Sequence, residues 1–129
     1  MNGWLIQINR GVDFIKEILI GIAFLAIGVT SPVKPEPQLE YIGNWSITAY
    51  THTGNCCANG NYPTDGYTVA HNTLPFGTEI YIDGVGYRTV EDRGPGYLGS
   101  EWCDLFMDSY NACVQWGIQN RDVYIVKGK

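Results

Sequence analysis

The sequence predicts an all-β domain, either a barrel or a sandwich, built from short strands. The 129 residues include 16 glycines, 9 tyrosines and 4 tryptophans, a composition typical of such folds. Apolar and polar residues alternate over many short runs, which is the pattern of half-buried strands. With 45% hydrophobic and 16% charged residues, the chain has room for one domain with its own core.

The first 30 residues contain an uninterrupted apolar run, Ile18 to Val29. Its length suits the core of a signal peptide better than a membrane span, which needs about 20 apolar residues. We therefore predict that residues 1–30 form a hydrophobic helix, either a cleaved export signal or an uncleaved membrane anchor, with a buried core helix as the alternative. Residues 31–42 are rich in proline and predict a stiff linker before a folded domain at 43–129.

The folded part begins with a strand from Asn44 to Tyr50, where small and apolar residues alternate with polar ones. A loop without periodicity follows, from Thr51 to Asp65. Loops of this length are commonly functional, so we expect it to form one wall of a cleft. Tyr62 and Tyr67 could stack on a ligand there, or they could pack in the core.

The remaining elements follow from alternation, turn residues and helix caps. Asp108 or Ser109 can cap a short helix that runs through Trp116 and ends at Gly117. The predicted strands are Tyr67 to Ala70, Glu79 to Ile82, Gly86 to Val90, Trp102 to Met107 and Asp122 to Val126.

Two aspartates, Asp92 and Asp104, stand on either side of a glycine-rich turn. Strand alternation places Asp92 on the face of Val90, and Asp104 on the face of Trp102 and Phe106. Burial among apolar side chains raises the pKa of a carboxyl group, so that it can donate a proton near neutral pH. The alternative is that both aspartates only accept hydrogen bonds from backbone N–H groups of the turn.

The formal net charge of −5 argues against nucleic acid as a partner, because phosphate binding relies on clustered lysine and arginine, and no such cluster occurs in the sequence. A polymeric ligand would have to be held by exposed aromatic faces rather than by bulk charge.

The chain contains four cysteines, Cys56, Cys57, Cys103 and Cys113. In an exported chain an even number favours disulfides. Adjacent cysteines pair poorly with each other, so each of the first two would reach Cys103 or Cys113. A four-thiolate zinc site is an alternative, although the usual CxxC spacing is absent. Free buried thiols are the third possibility.

Several motifs together resemble one family across Trp45 to Lys127. The chain is similar to the three-aspartate (3D) domain, the catalytic barrel of membrane-bound lytic transglycosylase A and of related bacterial cell-wall enzymes. The motifs are ITAY at Ile47 to Tyr50, TVA at Thr68 to Ala70, LPFGTEIYI at Leu74 to Ile82, DRGPGYLG at Asp92 to Gly99, CDLF at Cys103 to Phe106, and a closing WG followed by VYIV.

The chain departs from that family at one position, where Asn72 stands in place of the first of the three aspartates. The stretch AHNTLPFGT together with DRGP is instead similar to rare lipoprotein A, another double-psi barrel transglycosylase, in which the matching histidine and aspartate are needed for catalysis. This resemblance implies that His71 lies beside Asp92.

The resemblance implies a six-stranded double-psi β-barrel with its active cleft across one face. The implied reaction cleaves the β-1,4 bond between N-acetylmuramic acid and N-acetylglucosamine in peptidoglycan, and the 6-hydroxyl of the muramoyl sugar attacks its own anomeric carbon to give a 1,6-anhydro product. No cofactor and no metal are implied. The implied location is outside the cell, in the cell wall or anchored at the outer face of the membrane, which only the N-terminal segment would touch. A monomer is the default.

The resemblance also implies roles for individual residues. Asp104 would be the general acid and then the general base, and Asp92 would share its proton or stabilise the oxocarbenium charge. His71 would relay the proton or bind a sugar hydroxyl, unless it is a turn histidine bonded to backbone. Candidate substrate contacts are Asn72, Arg93, Tyr97, Trp102 and Tyr67. Two alternatives remain, a non-catalytic glycan-binding module of the expansin kind and an ordinary hydrolase on the same barrel.

Overall fold

The computed structural model describes residues 31–128, so the predicted export segment at 1–30 lies outside the described residues. The folded unit begins at Pro37. Its elements are β1 (Gln38–Tyr50), β2 (Thr68–Ala70), β3 (Glu79–Ile82), β4 (Gly86–Asp92), β5 (Trp102–Phe106), α1 (Tyr110–Trp116) and β6 (Gln119–Lys127). Over the described range, no helix has both the length and the apolar character needed to cross a membrane.

The six strands form one closed ring in the order β1-β5-β2-β4-β3-β6, and β6 pairs back with β1. The pairs β1/β5 and β2/β4 are parallel, and the other neighbours are antiparallel. Closure removes free strand edges, which would otherwise be open to pairing with other chains. The prediction of an all-β barrel with one short helix is confirmed at this level.

The core lies inside the ring and consists of residues that alternate along the strands. Burial of each such apolar side chain stabilises the fold by about 1.5–3 kcal/mol. The buried set is Trp45, Ile47, Val69, Ile80, Ile82, Val90, Cys103, Leu105 and Val123.

Strand β1 is longer than the sequence indicates. It begins at Gln38, inside the segment predicted as a linker, and pairs with β6 from Gln38 to Ile47. The predicted start at Asn44 is wrong because a bulge between Tyr41 and Gly43 breaks the alternation. Gly43 has φ +139°, a conformation that glycine adopts far more readily than other residues.

The helix α1 is capped at both ends as predicted. The Ser109 side-chain oxygen accepts a hydrogen bond from the Ala112 N–H at 3.1 Å. Gly117 adopts φ +64° and its N–H donates to the Cys113 carbonyl. This short helix follows β5 and leads the chain back into β6, which closes the ring.

Candidate active site

Asp92 and Asp104 lie on the outer face of the ring, on either side of Ala70. In the strand register, Ala70 of β2 aligns with Asp104 of β5 and with Asp92 of β4. Residues in register on neighbouring strands point to the same face, and such strands lie about 4.8 Å apart. The preceding residue, Val69, points into the core, so this row faces outward. The two carboxyl groups therefore flank a single methyl group.

A β-bulge in β4 brings Asp92 to this face. Val69 aligns with Val90, but the next residue, Ala70, aligns with Asp92, so Glu91 is the extra residue. Without it, Asp92 would share the face of Val90 and point toward the core. The prediction from simple alternation that Asp92 points the same way as Val90 is therefore wrong. Bulges commonly redirect a side chain beside an active site in this way.

Asp104 is partly buried, and two consecutive hydrogen bonds connect it through Thr48 to Trp102. The Thr48 hydroxyl donates to Asp104 Oδ1 at 2.9 Å. The Trp102 indole N–H in turn donates to Thr48 Oγ1, also at 2.9 Å. The other acceptor within reach of that hydroxyl, the Cys103 carbonyl, is farther away at 3.4 Å. The indole donor occupies a lone pair of Thr48, so the single hydroxyl proton is directed to Asp104.

The surroundings of Asp104 favour its protonated form. Burial raises the pKa of this carboxyl, the hydrogen bond from Thr48 lowers it, and the nearby negative charge of Asp92 raises it; together they bring the pKa to about 6. Trp102 and Phe106 flank Asp104 on the same face of β5 and are both buried. Asp104 thus satisfies the requirement for a group that donates a proton slightly below neutral pH.

Asp92 is held by three hydrogen-bond donors. Its Oδ1 accepts from the backbone N–H groups of Ala58 and Arg93, each at 2.9 Å. Its Oδ2 accepts from the Tyr50 hydroxyl at 2.9 Å. Burial, followed by this hydrogen bond, raises the pKa of Tyr50, so the phenol remains a donor at neutral pH. Asp92 therefore accepts all three hydrogen bonds. The alternative that it only accepts from backbone N–H groups accounts for two of them, and the third comes from Tyr50.

The long loop between β1 and β2 is held over this face through Glu91, the bulge residue. The Glu91 carboxylate is buried and accepts from the Thr68 hydroxyl at 2.7 Å and from the Asn61 amide at 3.0 Å. The backbone N–H of Ala58, in the same loop, binds Asp92. The loop predicted to form a wall beside the site therefore does contact both acidic residues of the bulge.

His71 is buried, with a relative exposure of 1%. Its Nδ1 accepts from the backbone N–H groups of Thr73 and Leu74, at 3.2 and 3.0 Å, and its Nε2 lies 2.9 Å from the Ser100 carbonyl. An Nδ1 that accepts two bonds requires the proton on Nε2, which donates to Ser100. Burial lowers the pKa of His71, and its ring stacks on Trp45.

Both ring nitrogens of His71 are thus engaged with backbone groups, as in the turn-histidine alternative. A proton relay requires one nitrogen to face the reacting groups. The contact with Asp92 runs through the backbone instead, because the His71 N–H donates to the Asp92 carbonyl at 3.1 Å. His71 therefore joins the ends of the glycine-rich turn and the bulged strand.

Asn72 and Arg93 fix the glycine-rich turn between the two aspartates. The Asn72 amide donates to the Pro95 carbonyl and its oxygen accepts from the Gly94 N–H, both at 2.9 Å. Arg93 donates to the His71 carbonyl at 2.6 Å. The polar atoms of Asn72 are therefore largely used within the protein, which fits an orienting role for this residue.

The turn lies directly on the indole ring of Trp102. A Cβ atom at Gly94 would overlap the ring atoms of Trp102, so only glycine fits at this point. Trp102 is 6% exposed and binds Thr48 through its N–H, so it is a support of Asp104 rather than an open stacking surface. Gly94, the glycine of the DRGP motif, thus allows Trp102 to pack against the turn, and Trp102 in turn positions Thr48 through its hydrogen bond.

No protein-family model matches the chain. The B-enzyme of Bacillus subtilis is 33% identical over an alignment of 98 residues, and the match covers 58% of this chain and 84% of that protein. The chain belongs to the family of the B-enzyme. It is also similar to the cell wall-binding protein YocH of Bacillus subtilis (strain 168), with 29% identity over 80 residues that cover 62% of this chain and 27% of that protein.

Two of the remaining residues predicted to contact substrate, Tyr97 and Tyr67, lie at the surface of this relative of the B-enzyme. Tyr97, in the glycine-rich turn, has a relative exposure of 87%, and Tyr67, just before β2, is also exposed. Arg93 packs its guanidinium over the Phe76 ring at 3.9 Å from the ring centroid. The two exposed rings are accessible to a ligand, whereas the side chains of Arg93 and Trp102 contact other residues of the protein.

The disulfides expected from the sequence are absent among the described residues, where all four cysteines are free. For Cys57 and Cys103 the reason is geometric. Cys103 points into the core, whereas Cys57 lies in the loop on the outer face near Asp92 and Glu91. Burial raises the pKa of Cys57 to about 11 and also raises that of Cys103, so both remain thiols. Within residues 31–128 no His, Cys, Asp or Glu group is arranged to hold a metal ion.

Sequence reasoning missed three contributors to the site, Thr48, Tyr50 and the Ala58 N–H. Thr48 and Tyr50 are two residues apart in β1 and therefore share the outer face. Their polar groups bind Asp104 and Asp92, respectively. The signal was present in the alternation of β1, where a threonine and a tyrosine are the outward residues of the ITAY motif.

Proposed function

We propose that this chain is an exported peptidoglycan lytic transglycosylase that cleaves the β-1,4 bond between N-acetylmuramic acid and N-acetylglucosamine. The observation that carries the proposal is the pairing of Asp104, whose pKa is raised to about 6, with Asp92 across Ala70 on the outer face. Acid catalysis of glycoside cleavage needs a carboxyl group that is still protonated near the working pH.

In the proposed reaction, Asp104 first donates its proton to the oxygen that links the two sugars, and the bond from that oxygen to the anomeric carbon breaks. The 6-hydroxyl of the same muramoyl sugar then bonds to the anomeric carbon and returns its proton to Asp104. Atoms balance without water, so one carboxyl group serves as acid and then as base. This differs from an ordinary glycosidase, which uses two carboxyl groups on the reacting centre.

Asp92 is assigned to stabilise the positive charge that develops on the sugar ring. Its three donors, Tyr50, Ala58 and Arg93, hold the carboxylate in one orientation. Such preorganised charge is a large source of catalysis because the protein does not have to rearrange as the reaction proceeds. His71 is assigned a positioning role, since its ring nitrogens are bonded to the backbone.

Two further features support a cell-wall setting. One relative is named a cell wall-binding protein, and this supports a wall polymer as the ligand. The apolar segment Ile18 to Val29 supports export, with the protein then either released, held in the wall or anchored at the outer face of the membrane. The chain is proposed to act as a monomer.

The fold is proposed to be a double-psi barrel. In support, the closed ring of six strands has two parallel pairs, β1/β5 and β2/β4, within an otherwise antiparallel order. Parallel neighbours within a six-stranded ring require crossing connections rather than simple hairpins.

A second candidate function is a non-catalytic module that binds wall glycan. The observation favouring it is Asn72, which stands where the 3D family has its first aspartate. Its side-chain amide forms hydrogen bonds within the glycine-rich turn. The same site would then grip a glycan strand without cleaving it.

Product analysis separates these candidates. The full-length chain is incubated with purified peptidoglycan, and the soluble fragments are identified by mass spectrometry. Release of 1,6-anhydro-muropeptides supports the transglycosylase. Fragments with reducing ends would point to a hydrolase, and binding without any release would point to the glycan-binding module. Either of these last two outcomes contradicts the proposed activity.

A further inference from the structure

Four tyrosines form a continuous row across the side of the ring opposite the acidic site. Tyr41, Tyr124, Tyr81 and Tyr87 are in register on β1, β6, β3 and β4. The ring centroids of successive neighbours are 5.4, 6.2 and 5.1 Å apart. In the ring order, β3 and β6 lie opposite β5 and β2, which hold Asp104 and Ala70. We refer to these four residues as the tyrosine row.

The tyrosine row is on the outer face and its ends are open to solvent. Its neighbours along the strands, Ile80, Ile82 and Val123, point into the core, so the tyrosines point outward. Tyr41 and Tyr87, at the two ends, have relative exposures of 56% and 45%. The buried core consists of other residues, so these four rings lie outside it.

The charge around the row restricts what it can bind. On the same face, two residues before Tyr124 in β6, lies Asp122. The Asp122 carboxylate accepts from the Tyr41 hydroxyl at 3.3 Å and from the Asn44 amide at 2.9 Å. This carboxylate repels phosphate and other anions, which require lysine or arginine. It favours a ligand that brings hydroxyl or amide donors and no negative charge at the contact.

We propose that the tyrosine row is a second glycan-binding surface, which takes the sugar faces of a β-1,4-linked N-acetylhexosamine strand. The C–H face of a pyranose ring is apolar and packs on an aromatic ring, while its hydroxyl and acetamido groups donate to the phenol oxygens and to Asp122. The row holds one strand while the acidic site on the other side acts on another. This surface goes beyond the proposed catalytic function and does not depend on it.

The test uses the full-length chain carrying Asp104→Asn, so that no substrate is turned over, and the N-acetylglucosamine hexamer as the probe. Binding is measured by titration calorimetry and mapped by amide chemical shifts. Replacing Tyr41 and Tyr87 by alanine should weaken binding about three- to tenfold for each ring. The matched variant with phenylalanine at both positions keeps the rings but loses the phenol oxygens, so its affinity should lie between those of the alanine variant and the parent. Both positions are exposed, and a thermal melt checks that the variants fold.

Three results would overturn the proposal. One is unchanged affinity in the alanine variant. Another is a set of shift changes confined to the surroundings of Asp104, with binding lost instead in Tyr97→Ala. The third is a dimer of the parent that becomes monomeric in the alanine variant, measured by sedimentation, which would make the row an interface between copies. None of these results bears on product release from peptidoglycan by the wild-type chain, so the two proposals fail separately.

Discussion

Asp92 and Asp104 align with the same residue, Ala70, from the two strands that flank β2. This arrangement depends on one inserted residue, Glu91, which turns Asp92 from the core side of β4 to the outer side. It also depends on Thr48, whose hydroxyl is directed at Asp104.

Release of glycan fragments should decrease as pH rises through about 6, because the role proposed for Asp104 requires its protonated form and its pKa is raised to about that value, mainly by burial. The rate should fall about tenfold for each further pH unit, since the protonated fraction falls by that factor. Initial rates across a series of buffers at constant ionic strength check this. A rate that is flat from about pH 5 to 8 would be inconsistent with Asp104 as the acid.

Asp104→Asn should make the folded domain more stable at pH 8, about 1–2 kcal/mol in the free energy of unfolding. The sign follows from the raised pKa. Its folded-state pKa of about 6 lies above the ordinary 3.8, so wild-type Asp104 favours folding below the ordinary value and loses this contribution as pH rises through 6. The expected gain is smaller than the full difference would give, because water screens the partly exposed carboxyl.

Urea unfolding of Asp104→Asn and wild type at pH 4 and pH 8 measures that gain. The two curves should nearly coincide at the lower pH and separate at the higher one. A variant that is less stable than wild type at pH 8 would show that the charged carboxyl is well accommodated, contrary to the effect of burial.

Thr48→Val should raise the pKa of Asp104 above about 6, because the valine removes the hydrogen bond that lowers it. It should also cost about 1–3 kcal/mol of stability, since the buried Trp102 N–H loses its acceptor. Carboxyl-carbon NMR follows the Asp104 titration. Thr48→Ser, which keeps the hydroxyl, is the matched control and should titrate like wild type. A lower or unchanged midpoint in the valine variant would remove Thr48 from its assigned role.

Gly94→Ala should destabilise the fold by about 1–3 kcal/mol, because the added methyl group overlaps the Trp102 ring and must displace it. The displacement also moves the donor to Thr48, so glycan release should fall. Gly96→Ala, two residues away with open space around it, should change stability by less than about 0.5 kcal/mol. Thermal melts and tryptophan fluorescence compare the two. Equal effects would show that the contact with Trp102 is not what requires glycine.

Much of the fold follows from local pattern. The strands β2 and β3, most of β4 and β5, and the capped helix α1 were predictable because alternation and cap residues act within a few positions. The start of β1 was not predictable, because the bulge at Gly43 interrupts its alternation and its partner is the distant β6. Pairing over such a distance is decided by the closed ring rather than by nearby residues.

The candidate site was predictable only in part. Asp92 and Asp104 could be singled out because the turn between them resembles a known motif, but the face of Asp92 could not be assigned. An inserted residue such as Glu91 changes which partner each residue meets, and this leaves no mark in the local sequence. The contact of Tyr50 with Asp92 joins residues on separate strands, so it too required the structure.

The most direct test of the account compares wild type with Asp104→Asn for release of 1,6-anhydro-muropeptides and for binding to intact peptidoglycan. The account predicts that the variant folds and binds like wild type and releases no fragments above background. Glu101→Gln, which changes an exposed carboxyl three residues before Asp104 in the chain, should release fragments at the wild-type rate. Fragment release by Asp104→Asn at the wild-type rate would contradict the assignment of Asp104 as the acid.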